Sequence, residues 1–145
     1  MLVSIVMAVY NGQHYLQEAV ESILCQTYTR FELIIINDAS TDSTKELLAQ
    51  ITDKRVKVIH LAENKGAAFA LNLGISQAKG KWIAVHDADD LSYPYRLEKQ
   101  ISYLKKHREL VAAGSFIECI PGRGNCIPQQ NLSGLEKLIN RVQTG

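Results

Sequence analysis

The feature that most constrains this chain is a fourfold alternation of short apolar runs with amphipathic stretches. Residues 2–9 (Leu-Val-Ser-Ile-Val-Met-Ala-Val) are β-branched and nearly all apolar, which predicts a buried strand. Tyr10-Asn11-Gly12 ends the run with turn chemistry. Tyr15, Leu16, Ala19, Val20, Ile23 and Leu24 then recur at helical spacing, predicting a helix over about residues 13–26. Residues 31–36 read as a second buried strand running into the polar loop 37–42. Ser43-Thr44-Lys45-Glu46 has the capping-box pattern, with Leu47, Leu48 and Ile51 as the inward stripe of a second helix.

Residues 56–61 predict a third strand, punctuated by Asn64-Lys65-Gly66. Ala67, Ala70, Leu71, Gly74, Ile75 and Ala78 fall on one helical face and are mostly small, so this helix should lie close to a neighbour, with Gly80 as its stop. Trp82, Ile83, Ala84 and Val85 read as a fourth strand buried on both faces. Leu97, Ile101 and Leu104 mark a helix starting near Pro94. Residues 110–113 and 115–120 read as further strand, 121–125 as a turn, 126–128 as an antiparallel return, and Leu135, Leu138 and Ile139 as a last short helix. Strand and helix alternating in this way predict an α/β fold: a Rossmann-like, mostly parallel sheet with helices on both faces. The expected organisation is an α/β domain over residues 1–120, then a hairpin return and short helix over 121–145.

Composition narrows the functional classes. A hydrophobic content of 46% and a charged content of 21% are those of a globular domain. A formal charge of +1 supplies no field for nucleic acid or an anionic membrane, so no nucleic-acid partner is expected. The apolar runs are too short to span a bilayer, and no signal peptide is visible, giving a cytoplasmic reading that includes the cytosolic face of the membrane. Cys25, Cys119 and Cys126 lack metal-ligand spacing and read as free thiols. Homo-oligomerisation through an exposed apolar face is left open.

In a parallel sheet, ligands bind beyond the carboxyl ends of the strands. Three polar loops leave that edge: Tyr10-Asn11, Asn37-Asp38 and Asp87-Ala88-Asp89-Asp90. The last packs three carboxylates into four positions, where they repel one another unless a positive charge sits among them. Alone it is equally a solvated acidic turn or a site for a hard divalent cation, Mg2+ or Mn2+. Tyr10 is suited to stacking on a base, and with Asp38 on the same rim the combination points to a nucleotide-plus-metal site. Asp42 reads as a helix cap, and His86 as a packed strand-end ring. There is no Gly-x-Gly-x-x-Gly after the first strand and no P-loop. An EF-hand alignment starting at Asp87 fails at Leu91 and Ser92. An aspartyl-phosphate phosphatase would place its acidic pair on the first strand, and a nucleotidyltransferase would want a Gly-rich, basic loop where Tyr10-Asn11-Gly12-Gln13 stands.

The run from Val3 through Tyr10-Asn11-Gly12, then Ser22 to Tyr28, Phe31 to Asp42, Asn64-Lys65-Gly66, Asn72, Gly74-Ile75, Ala78-Lys79-Gly80, Asp87-Ala88-Asp89-Asp90 and Pro94-x-Arg96-Leu97-Glu98-Lys99-Gln100 resembles the family-2 glycosyltransferases of GT-A fold. The resemblance covers residues 2–120 and implies a donor-binding domain for a nucleoside-diphosphate sugar, UDP-sugar above others. It implies that Ala8 and Tyr10 border the base, that Asp38 hydrogen-bonds it and that Asp87 approaches the ribose. Asp89 would hold the Mn2+ or Mg2+ bridging the diphosphate, with Asp90 as second ligand or as its orienter. Lys65 is either a phosphate contact, offsetting Leu71 where relatives carry a basic residue, or a solvated loop lysine.

The implied activity is metal-dependent, inverting transfer of the sugar to a glycan or lipid-linked acceptor hydroxyl, in polysaccharide or cell-surface glycan synthesis. Inversion needs a general base near the acceptor. Glu118 and Glu136, the nearest downstream carboxylates, do not match one, so the base is expected outside this chain. The alternative reading is a truncated nucleotide-sugar-binding fragment without transferase activity.

Overall fold

The computed structural model describes residues 1–115 and 117. Residues 1–113 form one unit, to which the following description applies. Four strands, β1 (Val3–Val9), β2 (Phe31–Asn37), β3 (Val56–His60) and β4 (Trp82–Val85), alternate with four helices. The helices are α1 (Leu16–Leu24), α2 (Thr44–Ala49), α3 (Ala67–Ser76) and α4 (Arg96–Lys106). All strand pairs are parallel, in the order β3-β2-β1-β4. The expected α/β architecture is therefore present.

The two faces of the sheet are covered by different helices. Val3, Ile5, Met7, Val9, Leu33 and Ile35 pack with Leu16, Ala19, Val20 and Ile23 of α1, Leu48 of α2, and Leu97 and Ile101 of α4. Ile34 and Ile36 face the other way, against Ala70 of α3. The small residues of α3 do allow close approach. A Cβ placed on Gly74 would lie 2.4 Å from Val6 Cγ1, closer than any real contact. Ala67 and Ile75, expected on the inward face, are exposed.

Several local expectations give way to tertiary contacts. The capping box is not formed: Ser43 makes no side-chain cap bond, its backbone (φ −73°, ψ 12°) lying outside the extended region that a capping residue adopts. Asp42 caps instead, its Oδ1 accepting from Thr44 N at 3.0 Å. α1 starts three residues later than the apolar pattern suggests, and Tyr15 is exposed. Pro94 lies before α4 rather than in its first turn, its carbonyl accepting a bond from Thr27 N at 2.8 Å. β4 is buried on one face only. Trp82 and Ala84 meet the core, whereas Ile83 and Val85 are 42% and 49% exposed. The cause is position: among the described strands β4 is an outer one, and α3 sits over β1 and β2 instead. Residues 110–113 are not a strand: Leu110 N turns back to His107 O at 3.2 Å, none of them joins a ladder with another described strand, and Val111 is 91% exposed. The strand expected over 115–120 lies outside the described residues except at 115 and 117, which are not strand. The turn, return and last helix expected over 121–145 also lie outside them.

Two polar clusters pin the edge opposite the carboxyl ends. Glu32 Oε1 accepts from Ser4 Oγ at 2.6 Å and from Lys79 N at 2.7 Å, and Ser4 Oγ accepts from Gly80 N at 2.7 Å. Gly80 therefore lies against β1 rather than acting as a left-handed helix stop, α3 having ended at Ser76. In the second cluster the Arg55 guanidinium grips Asp53 at 2.8 Å, donates to Leu24 O and covers the Phe31 ring at 4.5 Å. The bonds from Arg55 hold the Asp53 carboxyl well below the usual carboxylate range, at about 2.

Two outcomes are expected. In Gly80→Ala the added Cβ would stand 2.5 Å from Ser4 N and 2.9 Å from Val3 C, so backbone must move. The loss, measured by urea unfolding, should reach at least the upper part of the ~1–3 kcal/mol typical of overpacking. The second outcome concerns pH. A depressed native pKa stabilises above the unfolded value (~3.9) and the gain is lost as pH falls through the native value. Wild type should therefore melt above Asp53→Asn near neutrality, and the gap should close as pH is lowered from about 4 towards 2.

Candidate functional site

With every strand parallel, the loops after β1, β2, β3 and β4 emerge at one edge. The chain steps outward from β1 to β2 and β3, then crosses to the other side of β1 for β4. Such a reversal opens a crevice between the two carboxyl ends flanking it, here those of β1 and β4. Ala8 and Tyr10 stand at the end of β1, Asp38 at that of β2, and residues 87–90 at that of β4. The edge therefore brings these sequence-predicted residues to one rim.

The β1 and β2 loops are stitched to each other. Asn11, at φ 54°, accepts at Oδ1 from Thr41 N at 2.8 Å, and its own N donates to Ser40 Oγ at 2.9 Å. Gly12 N donates to Thr44 Oγ1 at 2.9 Å and Gln13 N to Asp42 Oδ2 at 3.1 Å. Burial pushes the Asp42 carboxyl up, but the bonds from Thr44 and Gln13 outweigh it and hold the group below its ordinary value. Asn37 Oδ1 accepts from Ser40 N at 3.0 Å, bracing Ala39 in the left-handed region at φ 56°. Tyr10 emerges from this braced turn 52% exposed, its ring face available to a ligand, while Ala8 is half-buried.

Asp38 is 3% exposed and its carboxylate organises the third loop. Oδ1 accepts from Lys65 N at 2.7 Å and Oδ2 from Gly66 N at 2.8 Å. Gly66 has φ 85°, a value glycine adopts without strain, and serves as the N-cap of α3. Each carboxylate oxygen has a second lone pair. The Lys65 ammonium turns to Glu63 on the same loop.

The acidic turn has a different character. Asp87, Asp89 and Asp90 are exposed, and none of their carboxylates hydrogen-bonds or ion-pairs with a described residue. Among the described residues no three His, Cys, Asp or Glu side chains converge on a point that could hold a metal. Hard oxygen donors at this density nonetheless suit Mg2+ or Mn2+, which are commonly held by one or two carboxylates with substrate phosphates and water completing the shell. The donor set thus fits a cation that arrives with a diphosphate, not a closed protein cage.

Behind the turn lie His86, Arg96 and Gln26. His86 is 4% exposed with both ring nitrogens bonded, which bears out its reading as a packed ring. Burial first, and the Arg96 guanidinium second, push its imidazole below the ordinary value. Burial also lowers Arg96, and Asp90 partly offsets this. The Nε of Arg96 is buried without a hydrogen-bond partner among the described residues. Gln26 donates to Tyr93 O at 2.8 Å and accepts from Leu97 N at 3.1 Å, fastening the start of α4 to the end of α1. Asn11-Gly12 signalled its turn in the sequence, but Ser22, Gln26 and Ser92 carried no such signal.

No helix among the described residues is long and apolar enough to cross a membrane. A sequence model described as Glycosyl transferase family 2 matches residues 4–145. An uncharacterized glycosyltransferase of Haemophilus influenzae is 42% identical over 121 residues, covering 82% of this chain and 38% of its own length. A Bacillus subtilis protein named for teichuronic acid biosynthesis, the glycosyltransferase TuaG, is 39% identical over 145 residues, covering 99% of this chain and 54% of its own. The chain thus spans about two-fifths to half of these relatives. Among solved structures, S. aureus TarS in complex with UDP superposes with a TM-score of 0.70 at 28% identity, over 74% of this chain and 33% of that one. TarS has also been solved with UDP-GlcNAc. The mannosyltransferase PcManGT of Pyrobaculum calidifontis, in complex with GDP-Man and Mn2+, gives 0.64 at 27% identity, over 70% and 32%. By the family match and the shared GT-A fold, the chain belongs to glycosyl transferase family 2.

Proposed function

We propose that residues 1–113 bind the nucleoside-diphosphate sugar donor of a metal-dependent, inverting glycosyltransferase. The observation that carries this reading is the set of three exposed carboxylates on the loop leaving β4, none hydrogen-bonded or salt-bridged to a described residue, at the rim shared with Tyr10 and Asp38. The donor complexes of TarS and PcManGT, one of them with Mn2+, support it. Tyr10 supplies a face for the base, bordered by Ala8. Asp38 offers its remaining lone pairs to the base while holding the Lys65-Gly66 turn. Asp87 meets the ribose, and Asp89, with Asp90 beside it, takes the cation. Lys65 reaches the phosphates by leaving Glu63. Departure of the nucleoside diphosphate leaves negative charge on phosphate oxygens, which a bound Mg2+ or Mn2+ stabilises without proton transfer.

The acceptor hydroxyl, on a glycan or lipid-linked acceptor, loses its proton to a base. No described residue is assigned that task. The TuaG likeness supports a place in cell-surface polysaccharide synthesis. A second reading is donor binding without transfer, and a transfer assay with labelled UDP-sugar decides between them.

Calorimetric titration with UDP and GDP, with and without Mn2+, tests the site. Binding should require the metal. Asp89→Ala should weaken it by at least the ~10–100-fold that loss of even an outer-shell partner costs a metal site. Metal-independent binding unchanged in Asp89→Ala would overturn the assignment.

A further inference from the structure

His86 closes β4 immediately before the acidic turn. Its backbone N donates to Val6 O at 3.0 Å, so the residue is fixed to β1 at the last rung of the ladder. Its ring reaches both ends of the following loop. Nδ1 lies 2.7 Å from the carbonyl oxygen of Asp87, and Nε2 lies 2.9 Å from Oγ of Ser92. A carbonyl oxygen only accepts, so Nδ1 carries the proton, and in the neutral ring Nε2 accepts from the Ser92 hydroxyl. Ser92 is fixed in turn: its N donates to Ser22 Oγ at 3.0 Å, and the Ser22 hydroxyl donates to Ala19 O at 2.7 Å inside α1. A chain of bonds therefore runs from α1 through Ser22, Ser92 and the imidazole to the Asp87 carbonyl. The three carboxylates lie on the segment from Asp87 to Ser92, whose two ends the ring bridges.

We propose that His86 is a positioning residue: by bridging the Asp87 carbonyl and the Ser92 hydroxyl, it holds the acidic turn in the conformation that receives the divalent cation and diphosphate. The inference rests on the proposed donor site. Three like charges within four residues favour an open, wandering loop. Fixing both ends inside the protein removes that freedom before the ligand arrives, so less ordering remains to oppose binding. The ring is not a metal ligand, because both nitrogens are committed inward. An ordinary buried aliphatic residue would fill the space but leave the Ser92 hydroxyl without the ring and the Asp87 carbonyl with only the longer 3.3 Å bond from Asp90 N.

The test uses the full chain with UDP and Mn2+, reading bound Mn2+ from the loss of the free-ion electron paramagnetic resonance signal. His86→Leu should weaken Mn2+ binding in the presence of UDP by ~10–100-fold, as loss of outer-shell support does elsewhere. His86→Asn should recover most of it, because its amide nitrogen occupies the place of Nδ1 and can donate to Asp87 O. Ser92→Ala, which deletes one hydroxyl, should also weaken Mn2+ binding and keeps the test sound should His86→Leu fail to fold. A folded His86→Leu or Ser92→Ala that binds Mn2+ like wild type overturns the proposal. So does a His86→Asn variant that loses as much as His86→Leu. A wild-type chain showing no Mn2+-dependent UDP binding overturns the donor-site reading itself, an outcome recognisable before any variant is made.

Discussion

β1 is bonded on both sides by parallel strands and shielded on both faces, and the remaining architecture follows from satisfying it. Its seven residues meet β2 along their full length and β4 over the first four. Ile5 and Met7 face α1 and α4, while Val6 faces α3. A strand in that position must be apolar at nearly every residue. Parallel neighbours on both sides mean that every following loop emerges beside its end. Polar groups are therefore confined to the two ends of the sheet, with the candidate site residues at the carboxyl rim and the Ser4–Glu32 and Arg55–Asp53 clusters at the other.

That rim has two mechanical regimes. The loops after β1 and β2 bond to each other through Asn11, Gly12, Gln13, Ser40, Thr41 and Thr44, and Asp38 adds the turn before α3. Here most side chains bond within the protein, leaving a stiff floor from which Tyr10 projects. The loop after β4 is held at its ends, while its carboxylates keep their lone pairs for something else. A stiff platform for a flat ligand group beside an anchored but unspent acidic turn is the division of labour expected where a neutral ring and a charged diphosphate are gripped together.

Much of the fold was legible because it rests on periodicity. The runs ending at Val9, Ile36 and Val85 and the apolar stripes of α1 and α4 can be read from spacing alone. What escaped depends on partners distant in sequence. The Thr44 hydroxyl, at the start of α2, accepts from Gly12 N across 32 residues of sequence, a bond that no local pattern announces. Ile83 and Val85 look as buried as Ile34 and Ile36, and only the placement of α3 separates them. Acid residues at the rim were visible by type, and the resemblance supplied their roles. The bracing bonds of Ser22, Gln26 and Ser92 were invisible, since a serine or glutamine in a helix or loop has no spacing that announces its partner.

The pin at the opposite edge has a consequence for the acidic turn. Gly80 touches the Ser4 backbone and donates to its hydroxyl, and two residues later Trp82 pairs with Val3. Any side chain at 80 would push this contact away, so the glycine works as an end stop that sets how far β4 slides along β1. A slip of one residue would carry Asp89 about 3.3 Å along the strand axis and turn the side chains of β4 to the opposite face. The reach of the carboxylates at one rim is thus gauged by a missing Cβ at the other.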